Sequence, residues 1–470
     1  MTRIVSQDPS LEPVAEVLTT LLQPHPPLAA DLLLTLGEVT LSPGTAGEDE
    51  CHRITTTPST ITCQARTPQA VFRAALRTAL YGTQGLGVVE GGPRYGWRGL
   101  MIDTARHFWT VPELERIVDL AAVHRLNVLH LHLTDNEGWR IEIPGLPRLT
   151  ADGPHYTVAE FGRLQRYAAD RHVVIVPEID LPGHCAAAVR AHPELGTVQT
   201  ALGPMSISAF DARDPATRAF ITHVLTELCR MTDGPYVHFG GDEAFGLDEQ
   251  LFGQAVTLAR DVIRSGGKSP LGWQESVRAG LEPGGIAQWW IDPSMIDLPA
   301  DVALRPELAA RGLTNELLAE LAEGFAPTAG DLGRILASGG RVLLSPQTHL
   351  YFDRPYDLAI VPPEQRETAA RLGFIYEPRT VRHFAAWDPT AYGLDTANVA
   401  GVEAALWSET LRGFDDLTFL LLPRLATIAE TAWNGRPSAW PQQHDHLRAS
   451  GRIWQQRGLT FLRTTEVTWE

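Results

Sequence analysis

The feature that most constrains this chain is a strict alternation. Eight short apolar runs close on polar residues and are separated by longer stretches, several with helical spacing. The runs are Gly99–Asp103, Asn127–Asp135, His172–Asp180, Tyr236–Glu243, Pro270–Glu275, Ile286–Trp290, Arg341–Pro346 and Val399–Glu409. The intervening text predicts helices over Val111–His124, Val158–Asp170, Pro215–Met231 and Glu249–Ser265. Strand–helix alternation predicts a parallel sheet. Eight such units fit an α/β (β/α)8 TIM barrel better than an open doubly wound sheet. The near-continuous runs NVLHLHL and HVVIVPEI suit strands covered on both faces. No GxGxxG follows the first run and no GxxxxGK(S/T) occurs, so nucleotide folds lose ground. The link from Glu275 to Ile286 is too short for a full helix and predicts an irregular unit.

Residues 1–92 read differently, as a small α+β domain ahead of a barrel over 93–470. Asp31–Thr40 and Cys51–Ala65 hold β-like runs, and Thr67–Tyr81 reads as a helix with Thr67 as N-cap and Pro68 in the first turn. GLGVVEGGPRYG reads as a linker. A long insertion spans about 291–340, and its PELAARGLTNELLAELAEGF part looks helical.

Charge narrows the function. With 56 Asp+Glu against 39 Lys+Arg, the net charge of −17 argues against a nucleic-acid partner, which needs a basic face. The four Cys carry no metal spacing and suggest no disulfide scaffold. No apolar run is long enough to span a membrane, so no membrane partner is expected. The first residues lack the pattern of a signal peptide, which predicts a cytoplasmic location. A monomer and a homodimer are both compatible with the sequence.

The polar ends of the runs carry the chemistry: MIDTARHF, HLTDNEGWR, PEIDLPGH, HFGGDE, GWQES, QWW and ALWSE. In a barrel these ends converge on one face, where active sites form. Asp242 and Glu243 are adjacent, and on a regular strand they would point to opposite faces. After Gly240–Gly241 both can turn toward the mouth. The competing reading is a helix cap followed by a first-turn Glu. Sequence neighbours can hardly straddle a sugar ring, which favours one acid with a helper over an acid–nucleophile pair. Trp273, Trp290 and Trp407 offer flat faces for a sugar ring, with core packing as the alternative. Trp289 and Trp290 cannot both face inward, so one belongs to the core. Arg106 can bond two neighbouring hydroxyls. Asp135, Glu178, Asp180 and His184 can form a polar network beside the ring. His130 and His132 read as buried, satisfied histidines, although HLHL also resembles the HxH of metal-dependent barrel hydrolases.

At these motifs the sequence resembles the family 20 glycoside hydrolases, the β-N-acetylhexosaminidases. The matching stretches are WRGLMIDTARHF, RLNVLHLHLTDNEGWRIEI, VPEIDLPGH, VHFGGDE, GWQE, LYFD and ALWSE, between about Trp97 and Gly435. The resemblance implies an exo-acting, retaining enzyme that releases terminal β-linked GlcNAc, and GalNAc. The substrate's own 2-acetamido oxygen would attack C1 and form an oxazolinium ion. Asp242 would orient the acetamido group, Glu243 would act as general acid and then base, and Tyr351 would hydrogen-bond the acetamido carbonyl. Trp273, Trp290 and Trp407 would wall the pocket. Arg106 would hold the 3- and 4-hydroxyls, Asp353 and Glu409 the 4- and 6-hydroxyls, and Asp135 and His184 would support Glu243. No metal or organic cofactor is implied. An inactive carbohydrate-binding relative and a metal-dependent barrel hydrolase are the alternatives.

Overall fold

A computed structural model of the chain describes residues 2–23, 28, 30–39, 48–82, 87–202, 205–291, 314–374 and 376–469. The first strands, β1 (Ile4–Ser6), β2 (Asp31–Leu36), β3 (His52–Thr56), β4 (Thr60–Ala65) and β5 (Gly87–Gly91), form one mixed sheet in the order β1-β2-β4-β3-β5. Helices α1 (Glu12–Leu22) and α2 (Pro68–Tyr81) bury Leu18, Leu21, Val71 and Leu76 in the core beside it. Thr67 caps α2 by accepting from the Ala70 N–H, as its spacing predicts. The expected linker is partly sheet instead: Gly87–Gly91 pairs antiparallel with β3. A glycine-rich run with two valines gives little local signal, and its pairing partner lies far back in the chain.

The barrel strands are β6 (Trp97–Asp103), β7 (Val128–His132), β8 (Val174–Leu181), β11 (Tyr236–Gly240), β12 (Ser269–Trp273), β13 (Ile286–Trp289), β14 (Arg341–Leu344) and β15 (Val399–Leu406). They close in chain order, and every neighbouring pair is parallel. A hairpin of β9 (Thr197–Leu202) and β10 (Met205–Phe210) interrupts the order after β8. Several observed strands stop short of the apolar-plus-polar runs read from sequence. Their last residues leave the sheet and build the mouth.

Helices α3 (Val111–Val123), α4 (Val158–Ala169), α6 (Pro215–Met231) and α7 (Glu249–Ser265) follow barrel strands, and α5 (Ala186–Ala191) precedes β9. Thr110 with Glu113, and Thr157 with Glu160, form capping boxes at α3 and α4. Asp214 and Asp248 cap α6 and α7. The short fifth link is a 3-10 turn, Gln274–Ala279. Within the insertion, α8 (Asn315–Phe325) is helical as expected; the preceding part, 292–313, lies outside the described residues.

Inside the barrel an apolar layer of Trp97, Val128, Val176, Leu271, Ile286 and Leu343 lies together with buried polar groups. Glu403 accepts from Trp97 Nε1 at 2.7 Å, Gln288 Nε2 at 3.0 Å and His130 Nδ1 at 2.8 Å. Glu178 accepts from His132 Nδ1 at 2.7 Å and Trp273 Nε1 at 2.9 Å. Buried carboxylates persist only where such donors replace water. Ion pairs also join the first sheet to the barrel: Glu50 accepts from Arg98 at 2.7 Å, with the guanidinium of Arg73 at 3.4 Å.

Candidate active site

The two adjacent acids reach one wall because the backbone bends sharply after β11. Gly240 and Gly241 have φ of 70° and 89°, and Glu243 itself has φ of 44°. A Cβ on Gly240 would sit 1.6 Å from an Asp180 oxygen, so only glycine fits. A left-handed φ at a glutamate is strained, and such strain concentrates at working sites. The result is that Asp242 and Glu243 line the same cavity.

That cavity, of about 500 Å3 with its solvent-filled mouth, lies at the C-terminal end of the barrel. Arg106, Asp135, His184, Trp290, Tyr351, Asp353, Trp407 and Glu409 line it together with the two acids. Trp273 does not. It packs among the site's aromatic rings, with its indole N–H given to Glu178 and its ring 6.5 Å from Trp290 and 6.1 Å from Trp407. Trp289 is the core member of its pair, edge-on to Tyr392, while Trp290 faces the cavity. Phe374 and Tyr376 also line it. They come from a loop between β14 and β15 that carries no recognisable pattern, and the sequence gives no signal for them.

Several cavity groups hold atoms in reserve. Asp242 Oδ1, Arg106 Nη1 and both Asp353 oxygens are buried without a hydrogen-bond partner among the described residues. At a cavity wall such atoms are available to the hydroxyl and amide groups of a ligand. Arg106 is otherwise committed: Nη2 meets Asp135 at 2.8 Å, Nε meets Glu137 at 3.1 Å, and the guanidinium lies 5.3 Å over Trp407. Tyr351 stacks on Trp290 with ring centroids 5.8 Å apart and an angle of 7°. Burial, then the charges of Tyr376 and Asp242, push its phenol well up, so it stays a neutral donor.

Charge is staged around Glu243. His184 Nδ1 lies 3.0 Å from Asp135, and its Nε2 lies 3.6 Å from Glu243 and 4.0 Å from Asp242. Burial works against a charged His184, but the Asp135 and Asp180 carboxylates overcome it and hold the imidazole well above its ordinary value. Burial and the nearby Asp180 charge raise Asp242 well above the carboxylate range, while His184 opposes them. Asp180 itself is pushed to about 7, first by burial and then by Glu178, against the pull of His184.

His132 fills the next layer. Its nitrogens face Glu178 at 2.7 Å and Asp135 at 2.8 Å. With a carboxylate at each nitrogen it is held as an imidazolium, its burial outweighed by Glu178 and Asp135. His130 is likewise spent inside the barrel, on Glu403 and, at 3.2 Å, Glu178. The HLHL run is therefore part of the polar interior.

A closed parallel barrel with acids, an arginine and aromatic walls at its C-terminal mouth defines the class: a barrel glycoside hydrolase. The model of "Glycosyl hydrolase family 20, catalytic domain" matches residues 95–301 and 326–436. The chain is 34% identical over 453 residues to the β-N-acetylhexosaminidase of Cellulomonas fimi, covering 90% of this chain and 82% of that protein. It is 27% identical to a β-hexosaminidase of Porphyromonas gingivalis, covering 73% of this chain but only 44% of that longer protein. Among solved structures, the Streptomyces plicatus N-acetyl-β-hexosaminidase with bound Thio-NAglucal superposes with a TM-score of 0.78 at 30% identity, covering 100% of this chain and 93% of that one. The chain belongs to glycoside hydrolase family 20. Among the described residues, no helix is long and apolar enough to cross a membrane.

Proposed function

We propose that the chain is an exo-acting β-N-acetylhexosaminidase that releases terminal, non-reducing β-linked GlcNAc, and GalNAc, with the substrate's own acetamido oxygen as nucleophile. The observation that carries this reading is the placement of Asp242 and Glu243 on one cavity wall. Two adjacent acids cannot flank C1 from opposite faces, so the nucleophile must come from elsewhere. The Cellulomonas fimi relative is a β-N-acetylhexosaminidase, and a variant of the Streptomyces plicatus enzyme was solved with GlcNAc as product, which supports the reading.

In this scheme the terminal ring sits between Trp290 and Trp407. Tyr351 O–H donates to the acetamido oxygen and turns it toward C1. Asp242 accepts from the acetamido N–H with Oδ1, which makes no hydrogen bond to the described residues. As the C1–O bond breaks, the acetamido oxygen bonds C1 and the ring acquires the positive charge of an oxazolinium. The Asp242 carboxylate balances that charge where it develops. Glu243 gives its proton to the leaving oxygen, then takes one from the water that opens the oxazolinium. Two displacements at C1 leave the product β. The Arg106 Nη1, paired with Asp103 at 3.6 Å but without a hydrogen bond, serves the 3- and 4-hydroxyls, and Asp353 and Glu409 the 4- and 6-hydroxyls. Burial, then Glu409, raises the Asp353 carboxyl well above its usual range, so it can donate as well as accept.

A thiazoline analogue of the cyclised sugar tests this directly. Transition-state-like species bind 10²-fold or more tighter than substrate. The analogue should therefore inhibit at least about 100-fold more strongly than free GlcNAc, and Asp242→Asn should abolish that advantage. Inhibition no better than by GlcNAc overturns the proposal.

A further inference from the structure

Beside the sugar cavity lies a second and larger one, of about 1490 Å3. The two share Glu243 as a wall. If Glu243 protonates the glycosidic oxygen, the ring on one side of that oxygen fills the first cavity. The group on the other side must then extend into the second. This step rests on the functional reading above.

The far wall of the second cavity is the insertion. Glu320, Glu323, Gly324 and Phe325 of α8 line it, opposite Phe245 and Phe252. Helix α8 is seated firmly there. The Phe325 ring stands edge-on to Phe245 at 5.2 Å and edge-on to Trp290 at 5.4 Å. A Cβ on Gly324 would lie 2.7 Å from the Phe245 ring, so glycine permits the close approach of the helix. Helix α8 thus ties the sugar-stacking Trp290 to the residue two places after Glu243. The family match stops at residue 301 and resumes at 326, so α8 falls wholly in the gap.

The wall combines aromatic rings with one sign of charge. Glu249, Glu320 and Glu323 line the cavity with Glu275, which burial and then the Asp242 charge hold toward its neutral form, and Arg278 is the single cation lining it among the described residues. Arg278 is already neutralised by Asp331, with two contacts at 3.1 and 2.7 Å. We propose that α8 builds a leaving-group site beside Glu243 that takes a sugar ring carrying a protonated amine, ahead of a neutral ring and well ahead of an acidic one. The phenyl rings supply the stacking surface, and the carboxylates set the order of charge preference.

The test uses the full chain below neutral pH, where an amino sugar is protonated. Three disaccharides carry β-linked GlcNAc on glucosamine, on GlcNAc and on glucuronic acid, and an aryl β-GlcNAc glycoside serves as reference. Three carboxylates at the cavity wall, partly screened by solvent, predict a kcat/KM ratio of roughly tenfold between the cationic and anionic substrates at low salt. The ratio should shrink in high salt. Glu320→Gln combined with Glu323→Gln should cut it from about tenfold to about twofold, since two of the three charges are gone and the logarithm of the ratio falls to a third. Turnover of the aryl glycoside with equal kcat/KM for the three disaccharides overturns the α8 proposal and leaves the functional reading standing. So does a ratio unmoved by both salt and the double substitution. No turnover of the aryl glycoside overturns both.

Discussion

The Nε2 of His184 stands 3.6 Å from the Glu243 carboxylate, on the end of a chain of alternating charges that runs into the barrel. His184 meets Asp135, Asp135 meets His132, and His132 meets Glu178, with separations of 3.0, 2.8 and 2.7 Å. His184 takes a left-handed φ of 50° to hold this position. Removing it with His184→Ala should lower kcat on a disaccharide by about 10²-fold, in the range of general acid–base effects. The loss should be much smaller on an activated aryl glycoside, whose phenolate leaves without a proton. Equal losses on both substrates would show that His184 does not act through the proton of Glu243.

His132 is the buried cation between two buried carboxylates. His132→Asn leaves Glu178 and Asp135 without their shared counter-charge. Breaking such a pair costs about 3–5 kcal/mol. The denaturation midpoint should fall accordingly. A loss under about 1 kcal/mol would mean that water enters and replaces the imidazolium.

Asp180 should set the acid limb of the pH profile. Asp242 works as an anion, so activity is lost as pH falls through its pKa, which burial and the Asp180 charge hold high. Asp180→Asn removes that charge, and the acid limb of kcat/KM should move to lower pH. The same change should alter stability with a defined sign. Asp180 rises from an ordinary 3.8 to about 7 on folding. Its contribution is therefore full below about 4 and lost as pH rises through about 7. The unliganded enzyme should lose stability across that window, and Asp180→Asn should flatten the slope. A slope that steepens would contradict the assignment.

The first sheet is bound to the barrel through charge. Arg73 and Arg98 are fully buried on Glu50. Glu50→Gln should cost about 3 kcal/mol, because two buried guanidiniums lose their carboxylate. The activity of the folded fraction should stay unchanged at low temperature, since Glu50 lies outside the cavity. A loss of kcat without a loss of stability would contradict this.

Much of the barrel was legible because its strands are buried on both faces and end in polar residues. The eight runs mark the eight strands, and the polar ends mark the mouth. Gly240 and Gly241 were readable as a bend because two glycines between an apolar strand and two acids suit little else. What escaped depends on contacts distant in sequence. Gly87–Gly91 is a strand only because β3 pairs with it. Phe374 and Tyr376 reach the cavity from a loop whose path no local pattern dictates. Trp273 carries the composition of a pocket wall, but Glu178 draws its indole N–H inward. The hairpin of β9 and β10 is local, but its short strands TVQTAL and MSISAF mix small and polar residues and stand out little from a loop.

The central claim is that the acetamido group of the substrate performs the nucleophilic step. Initial rates on paired aryl β-glycosides, one of GlcNAc and one of glucose, test it most directly. The sugars differ only at C2, where glucose has a hydroxyl that cannot form the five-membered ring. An intramolecular nucleophile is worth many orders of magnitude in effective concentration. The glucoside should therefore turn over at least about 10³-fold more slowly, with Asp242→Asn crippling the GlcNAc reaction. Comparable rates on the two glycosides would contradict the account, because the acetamido group would then be dispensable.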